Sequence, residues 1–402
     1  MPVLWFRVAL GNFFIAALLG LTLRFAFIQE IPFFNYKNIL HAHSHVAMLG
    51  WLYLGLYGLL VTYFVPKEQA ASRFYQRLFW LSQISVLGML FSFPFQGYGL
   101  ISISFSTLHI FCSYTFAANL WMDSKSTPGF SRILLRSSLT FMVLSTFGIW
   151  SMGPLMALGF KHSIWYHLAV QFFLHFQFNG WFIIAVLALF FRWMEQKGHL
   201  PSKTFRRWFY GLLLGATFLT FALAVAWSEP HPLVFACNSI GVLLQLAALV
   251  LLLRHLWPIR ASIKAALAPI QFRLWQLSLL SLCFKIVVQA AVALPIVAQM
   301  AYTIRNYIIG FIHLMMLGIL SFFILGFQYG QGASLSKNQN WGLITLGCGI
   351  IGSEALLFLQ GSLFWAGWGF MPGYYLLLFC ASALMPIGVG LLLVKSSPKV
   401  LV

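Results

Sequence analysis

The sequence predicts an all-α membrane protein with twelve transmembrane helices, and three observations carry that prediction. Of 402 residues, 61% are hydrophobic and 7% charged, more apolar surface than a water-soluble domain can cover. The apolar residues fall into stretches of about 20, the length that spans a bilayer core, centred near residues 15, 50, 85, 110, 143, 180, 216, 243, 285, 316, 350 and 383. The runs are continuous rather than alternating, which excludes an outer-membrane barrel. Finally, the cations sort by side. Nineteen of the 24 Lys and Arg lie at the termini or in the connections 2/3, 4/5, 6/7, 8/9 and 10/11; only Arg24, Lys37, Lys161 and Arg305 lie opposite, and Lys285 is mid-span. The positive-inside rule then places both termini in the cytoplasm. The net charge of +18 is therefore a topology signal and no nucleic-acid signature.

Taken in order, the first stretch, Leu4 to Phe27, is too long for a secretory signal and lacks a small-residue cleavage site; the charge alternation requires it as a helix. The second opens with "NILHAHSHVAMLGW", residues 38 to 51. In an α-helix His41 and His45 share a face and His43 points nearly opposite, so the three cannot serve one metal. The sixth stretch carries "HFQFNGW" (175 to 181) and the tenth "HLMMLGI" (313 to 319), each matching "HVAMLGW" (45 to 51) as His, four residues, then Gly. The spacings of 130 and 138 residues place the copies in helices 2, 6 and 10. The chain thus reads as one membrane domain of three pseudo-equivalent four-helix quartets, about 1–125, 130–257 and 270–398. By the helical rise, His45 and His313 lie roughly 10 to 15 Å in from their helix starts, and His175 deeper. The Gly lies about 140° from the His in an α-helix and is expected to admit a neighbouring helix.

Imidazole in hydrocarbon is costly without a partner. A buried site of nitrogen ligands without carboxylates or paired thiolates suits haem iron or copper better than calcium or magnesium. Haem fits between apolar helices, takes one axial His from each of two, and leaves its propionates to cations. The reading gives axial bonds to His45 and His313. Lys37 and Arg305 are candidates for the propionates or interfacial anchors, His41 steers a propionate, and His43 faces another cavity or the outer aqueous boundary. The ninth and eleventh stretches hold Lys285 and Glu354, expected to pair or to carry protons or substrate charge. His109 and His167 are without a repeat counterpart in this reading, and His231 and His255 are interfacial. Five cysteines (Cys112, Cys237, Cys283, Cys348, Cys380) stand singly in apolar spans with no C-x-x-C, so neither a disulfide framework nor a zinc knot is expected.

"HSHVAMLGW" (43 to 51) resembles the H-A-H-E-x-L-F-G-F signature of the NnrS family, membrane haem proteins linked to nitric-oxide stress. The His313 copy resembles that family's later H-x-x-x-x-G helix. More broadly, twelve helices in quartets with histidines in helices 2 and 10 resemble subunit I of the haem-copper oxidase and nitric-oxide reductase superfamily. That resemblance implies a bis-histidine b-type haem on His45 and His313 and places His175 at a copper position; an enzyme version would need a second open metal site around His175, with His43, His109 or His167 as helpers. It implies the bacterial cytoplasmic (inner) membrane, nitric oxide or dioxygen as ligand, and a cytochrome or quinol as electron donor. The chain departs from the pattern: Phe311 stands where an oxidase-type helix 10 has a further His, helix 7 lacks the paired His, and "FQFNG" follows His175 without an acid or tyrosine. The expectation is a haem protein whose second metal site is incomplete or altered. The rival reading is a proton-coupled secondary transporter using Lys285, Glu354 and the histidines.

Overall fold

The computed structural model describes residues 1–161, 163–228, 230–330 and 335–394. The C-terminal lysines Lys395 and Lys399 lie outside the described residues. All regular structure among the described residues is helical, and twelve helices are long and apolar enough to cross a membrane: α1 (Val3–Phe25), α2 (Tyr36–Phe64), α3 (Arg73–Gln96), α4 (Leu100–Ser126), α5 (Phe130–Ala157), α6 (Ile164–Gln196), α7 (Lys203–Ala226), α8 (Pro232–Ala266), α9 (Pro269–Ala291), α10 (Arg305–Tyr329), α11 (Lys337–Trp365) and α12 (Tyr374–Leu393). Each predicted segment is one of them.

Helix starts are set by side chains that satisfy the first free N–H groups. Asn35 accepts from the Asn38 amide at the head of α2, Ser163 from Tyr166 at α6, and Ser202 from Phe205 at α7. His231, expected only to sit at an interface, caps α8 through Nδ1, which accepts from the Leu233 amide, with Pro232 at the first helical position. Ser336 and Gln339 form a reciprocal capping box on α11.

Contacts divide the chain into two compact units, residues 1–61, 71–112 and 327–402 in one and 62–70 and 113–326 in the other. Three of the four boundaries fall inside α2, α4 and α10, and the fourth lies in the connection between α2 and α3. In the first unit α1 packs on α2 and α12, α2 on α3, and α11 along α12. The last pair approaches closely at glycines: a Cβ on Gly388 would stand 2.6 Å from the Leu346 amide nitrogen, the small-residue packing that brings helices together where lipid offers no hydrophobic drive. In the second unit α5 packs on α6, α7 on α8, α8 on α9, and α9 on α10.

Candidate functional site

The three histidine copies share a backbone feature that the sequence does not announce. In α2 the α-helix ends at His45 and a π-helix runs Val46–Tyr53. In α6 it ends at His175, followed by a π segment over Phe176–Phe182; in α10 it ends at His313, followed by one over Leu314–Ser321. Each His is half-buried, and the π segments behind them are largely buried. π-turns are rare and gather at functional sites, so three at one register mark these helices as equivalent.

The glycine five residues on does what was expected of it, although the backbone that presents it is π and not α. In every copy it lies against the helix that precedes its own in the chain. A Cβ at Gly50 would come within 2.9 Å of Asn12 in α1, at Gly180 within 2.5 Å of the Phe141 ring in α5, and at Gly318 within 2.7 Å of Ser281 Oγ in α9. The widened turn leaves carbonyls that need donors in a bilayer, and the same neighbours supply them. Asn12 Nδ2 donates to the Gly50 carbonyl at 3.1 Å, and Ser278 Oγ to that of Ile319 at 2.8 Å. Asn12 is held in turn by reciprocal amide bonds with Gln83 of α3, at 2.7 and 3.2 Å.

Side-chain environments then diverge. His45 Nδ1 lies 2.8 Å from the His41 carbonyl, one turn back in its own helix. A carbonyl carries no proton, so Nδ1 is the donor, and the neutral ring keeps its lone pair on Nε2. The ring packs against Phe93 at 4.5 Å and Tyr98 at 6.0 Å; His41 meets the same two rings at 5.9 and 4.6 Å. His41 and His45 thus share the face toward α3, as expected. Asn38 Nδ2 ties that face down by donating to the Pro94 carbonyl at 3.3 Å, one of the four carbonyls left free at the end of α3. His43 turns the other way: Nδ1 donates to the Ala16 carbonyl of α1 at 2.8 Å. Gly20 makes room for its ring, since a Cβ there would stand 2.8 Å from Cε1. His109 is buried beside Tyr53, centroids 4.7 Å apart.

In the second copy the opposite nitrogen is engaged. His175 Nε2 donates to the Thr217 carbonyl of α7 at 2.8 Å, leaving the lone pair on Nδ1. Its π segment carries a polar chain instead of an open ligand: Asn179 Nδ2 donates to the His175 carbonyl at 3.3 Å, and Asn179 Oδ1 accepts from Lys285 Nζ at 2.9 Å. Lys285 is 1% exposed, and its Nζ rests on a neutral amide. Its other neighbour is the Phe311 ring, centroid 5.6 Å away. Glu354 is also buried, at 7% exposure.

Lys37 and Arg305 are both exposed, each eight residues before its histidine, in the first turn of α2 and of α10. His167 stands eight before His175, so it does have repeat counterparts; a wider comparison window than the His-x4-Gly motif would have found it. Among the described residues no group of three or more His, Cys, Asp or Glu side chains is placed to hold a metal ion. Compared with protein-family models and with curated proteins, the chain matches none.

Proposed function

We propose that the chain is a membrane haem-binding protein, carrying one b-type haem on His45 and His313 in the cytoplasmic membrane of a bacterium and serving electron transfer or nitric-oxide handling. The observation that carries this reading is the tautomer of His45. A carbonyl of its own helix holds Nδ1–H, the arrangement that orients ligating histidines and raises their basicity, and Nε2 is left with its lone pair beside aromatic walls. The residues present fit an axial haem bond at that position. Phe93 and Tyr98 give an apolar edge for a porphyrin, His41 packs on the same two rings, and Lys37, exposed in the first turn of the same helix, suits a propionate. Haem, when bound, supplies one-electron exchange at iron; the chain's own residues bind it, orient it and keep water from it.

Copper does not fit as well. Among the described residues no three His, Cys, Asp or Glu side chains converge, His175 keeps only Nδ1 for a metal because Nε2 donates to the Thr217 carbonyl, and His43 stands on the α1 side of α2, away from the face of His45. The reading therefore stops at haem binding and leaves out metal-assisted turnover. The purified protein is expected to show a reduced b-type absorption band that His45→Ala and His313→Ala abolish while each variant still folds. A colourless, folded wild-type protein overturns the proposal in favour of proton-coupled transport, for which the buried Lys285 on its neutral partner is the supporting feature.

A further inference from the structure

The ends of α7 and α8 that carry most of their cations enclose an open groove of about 700 Å³, walled by Phe205, Trp208 and Leu212 of α7 and by Leu246, Val250 and Arg254 of α8. We infer that this groove is a binding site for one anionic phospholipid, with an acyl chain between the helices and the phosphate on Arg254.

Shape, charge and depth converge on that occupant. The walls are apolar and open sideways: Trp208 is 61% and Leu243 57% exposed, a surface that in a chain with twelve membrane-length helices meets lipid. Leu243 and Arg254 both line the groove, and eleven helical residues set them roughly 16 Å apart, close to half the thickness of a bilayer core. The groove thus runs about one leaflet deep, with its positive group at the head-group end. His255 stacks on Phe205, centroids 4.2 Å apart, which steadies that wall.

Arg254 is exposed and has neither hydrogen-bond nor ion-pair partner among the described residues, while other cations near that end of α8 are occupied. Arg260 lies over the Trp257 ring at 4.1 Å and donates to its carbonyl, and Lys264 lies over Phe272 at 5.8 Å. No acid lines the groove, and between residues 197 and 207 the chain has Lys197, Lys203, Arg206 and Arg207 without one Asp or Glu. Clustered Lys and Arg beside a transmembrane helix attract anionic lipid, and basic pockets between helices take its head groups. A zwitterionic lipid brings its own cation beside the phosphate and gains less from that unopposed charge, and a quinone, which is neutral, gains nothing from it.

The test is native mass spectrometry of the full-length protein, delipidated in detergent and offered dioleoyl phosphatidylglycerol or dioleoyl phosphatidylcholine at equal concentration. One phosphatidylglycerol per protein is expected to persist and phosphatidylcholine to be lost. Arg254→Gln should weaken retention about fivefold, the effect of one interfacial charge. Ala247→Phe, which fills the groove at an exposed position without changing charge, should abolish it. Arg77→Gln, on a face formed by α3 alone, is the control and should change retention less than Arg254→Gln does. Equal retention of the two lipids, no effect of Arg254→Gln, equal effects of Arg77→Gln and Arg254→Gln, or displacement of the phospholipid by a short-chain quinone would each overturn the inference. Melting temperatures of the lipid-free variants, expected to match the wild type, confirm that they fold.

Discussion

The first and second copies of the His-x4-Gly helix have one backbone and two chemistries. Both turn from α to π directly after the histidine, and both lay the glycine on the preceding helix. Yet His45 gives its proton from Nδ1 to its own helix, whereas His175 gives it from Nε2 to α7. The difference lies in what surrounds the ring. Beside His45 stand Phe93 and Tyr98, and α3 offers it no acceptor. Beside His175 stands the Thr217 carbonyl, and Thr217 Oγ1 donates to the Leu213 carbonyl one turn back, the kind of back-bonding that often bends a helix. A repeat can therefore keep its backbone geometry while one copy leaves the free lone pair on Nε2 and another leaves it on Nδ1.

That contrast can be broken or sharpened by experiment. The largest expected effect is on haem: His45→Ala should remove the b-type band entirely, and His175→Ala should leave haem content near the wild-type level, both read by pyridine haemochrome assay. The reverse pattern would end the distinction drawn between the copies. Next come the helix contacts. Gly180→Ala drives a methyl into Phe141 and should cost about 3 kcal/mol, Gly50→Ala about 2 kcal/mol, and Gly318→Ala about 1 kcal/mol because the Ser281 hydroxyl can rotate away. Thermal unfolding in detergent would show this order; equal costs would mean that the three approaches are not graded by how readily the facing atoms give way.

A third effect concerns charge in the second copy. Lys285→Met removes a buried amine whose hydrogen-bond partner among the described residues is an amide oxygen and which lies over an aromatic face, and should raise stability by about 1 kcal/mol. A lower melting temperature would show that the cation is compensated by a ligand. The smallest effect is Ser278→Ala, which takes one donor from the π carbonyl of Ile319 and should cost about 0.6 kcal/mol, an average interhelical hydrogen bond in a membrane.

Much of the fold was legible in the sequence. The spans could be read because membrane insertion depends on summed apolarity over about 20 residues, a local property, and every expected centre lies inside a helix. The faces of His41, His43 and His45 were legible too, since α geometry holds up to His45. The π segments were not: no residue pattern specifies them, and what sustains them is the set of donors on neighbouring helices, Asn12 and Ser278 among them. The partner of Lys285 was not legible either: Lys285 Nζ donates to Asn179 Oδ1, which the widened turn of α6 presents.

By itself, then, the sequence determined twelve membrane-length apolar helices, the sorting of cations between their two sets of connections, and the three equivalent histidines. Only the tertiary structure decided which nitrogen of the His45 and His175 rings is protonated and which carbonyl takes that proton. Span formation is an additive property of contiguous residues, whereas a tautomer depends on an acceptor placed to within a few tenths of an ångström, which a packed neighbour or a turn of the helix must supply.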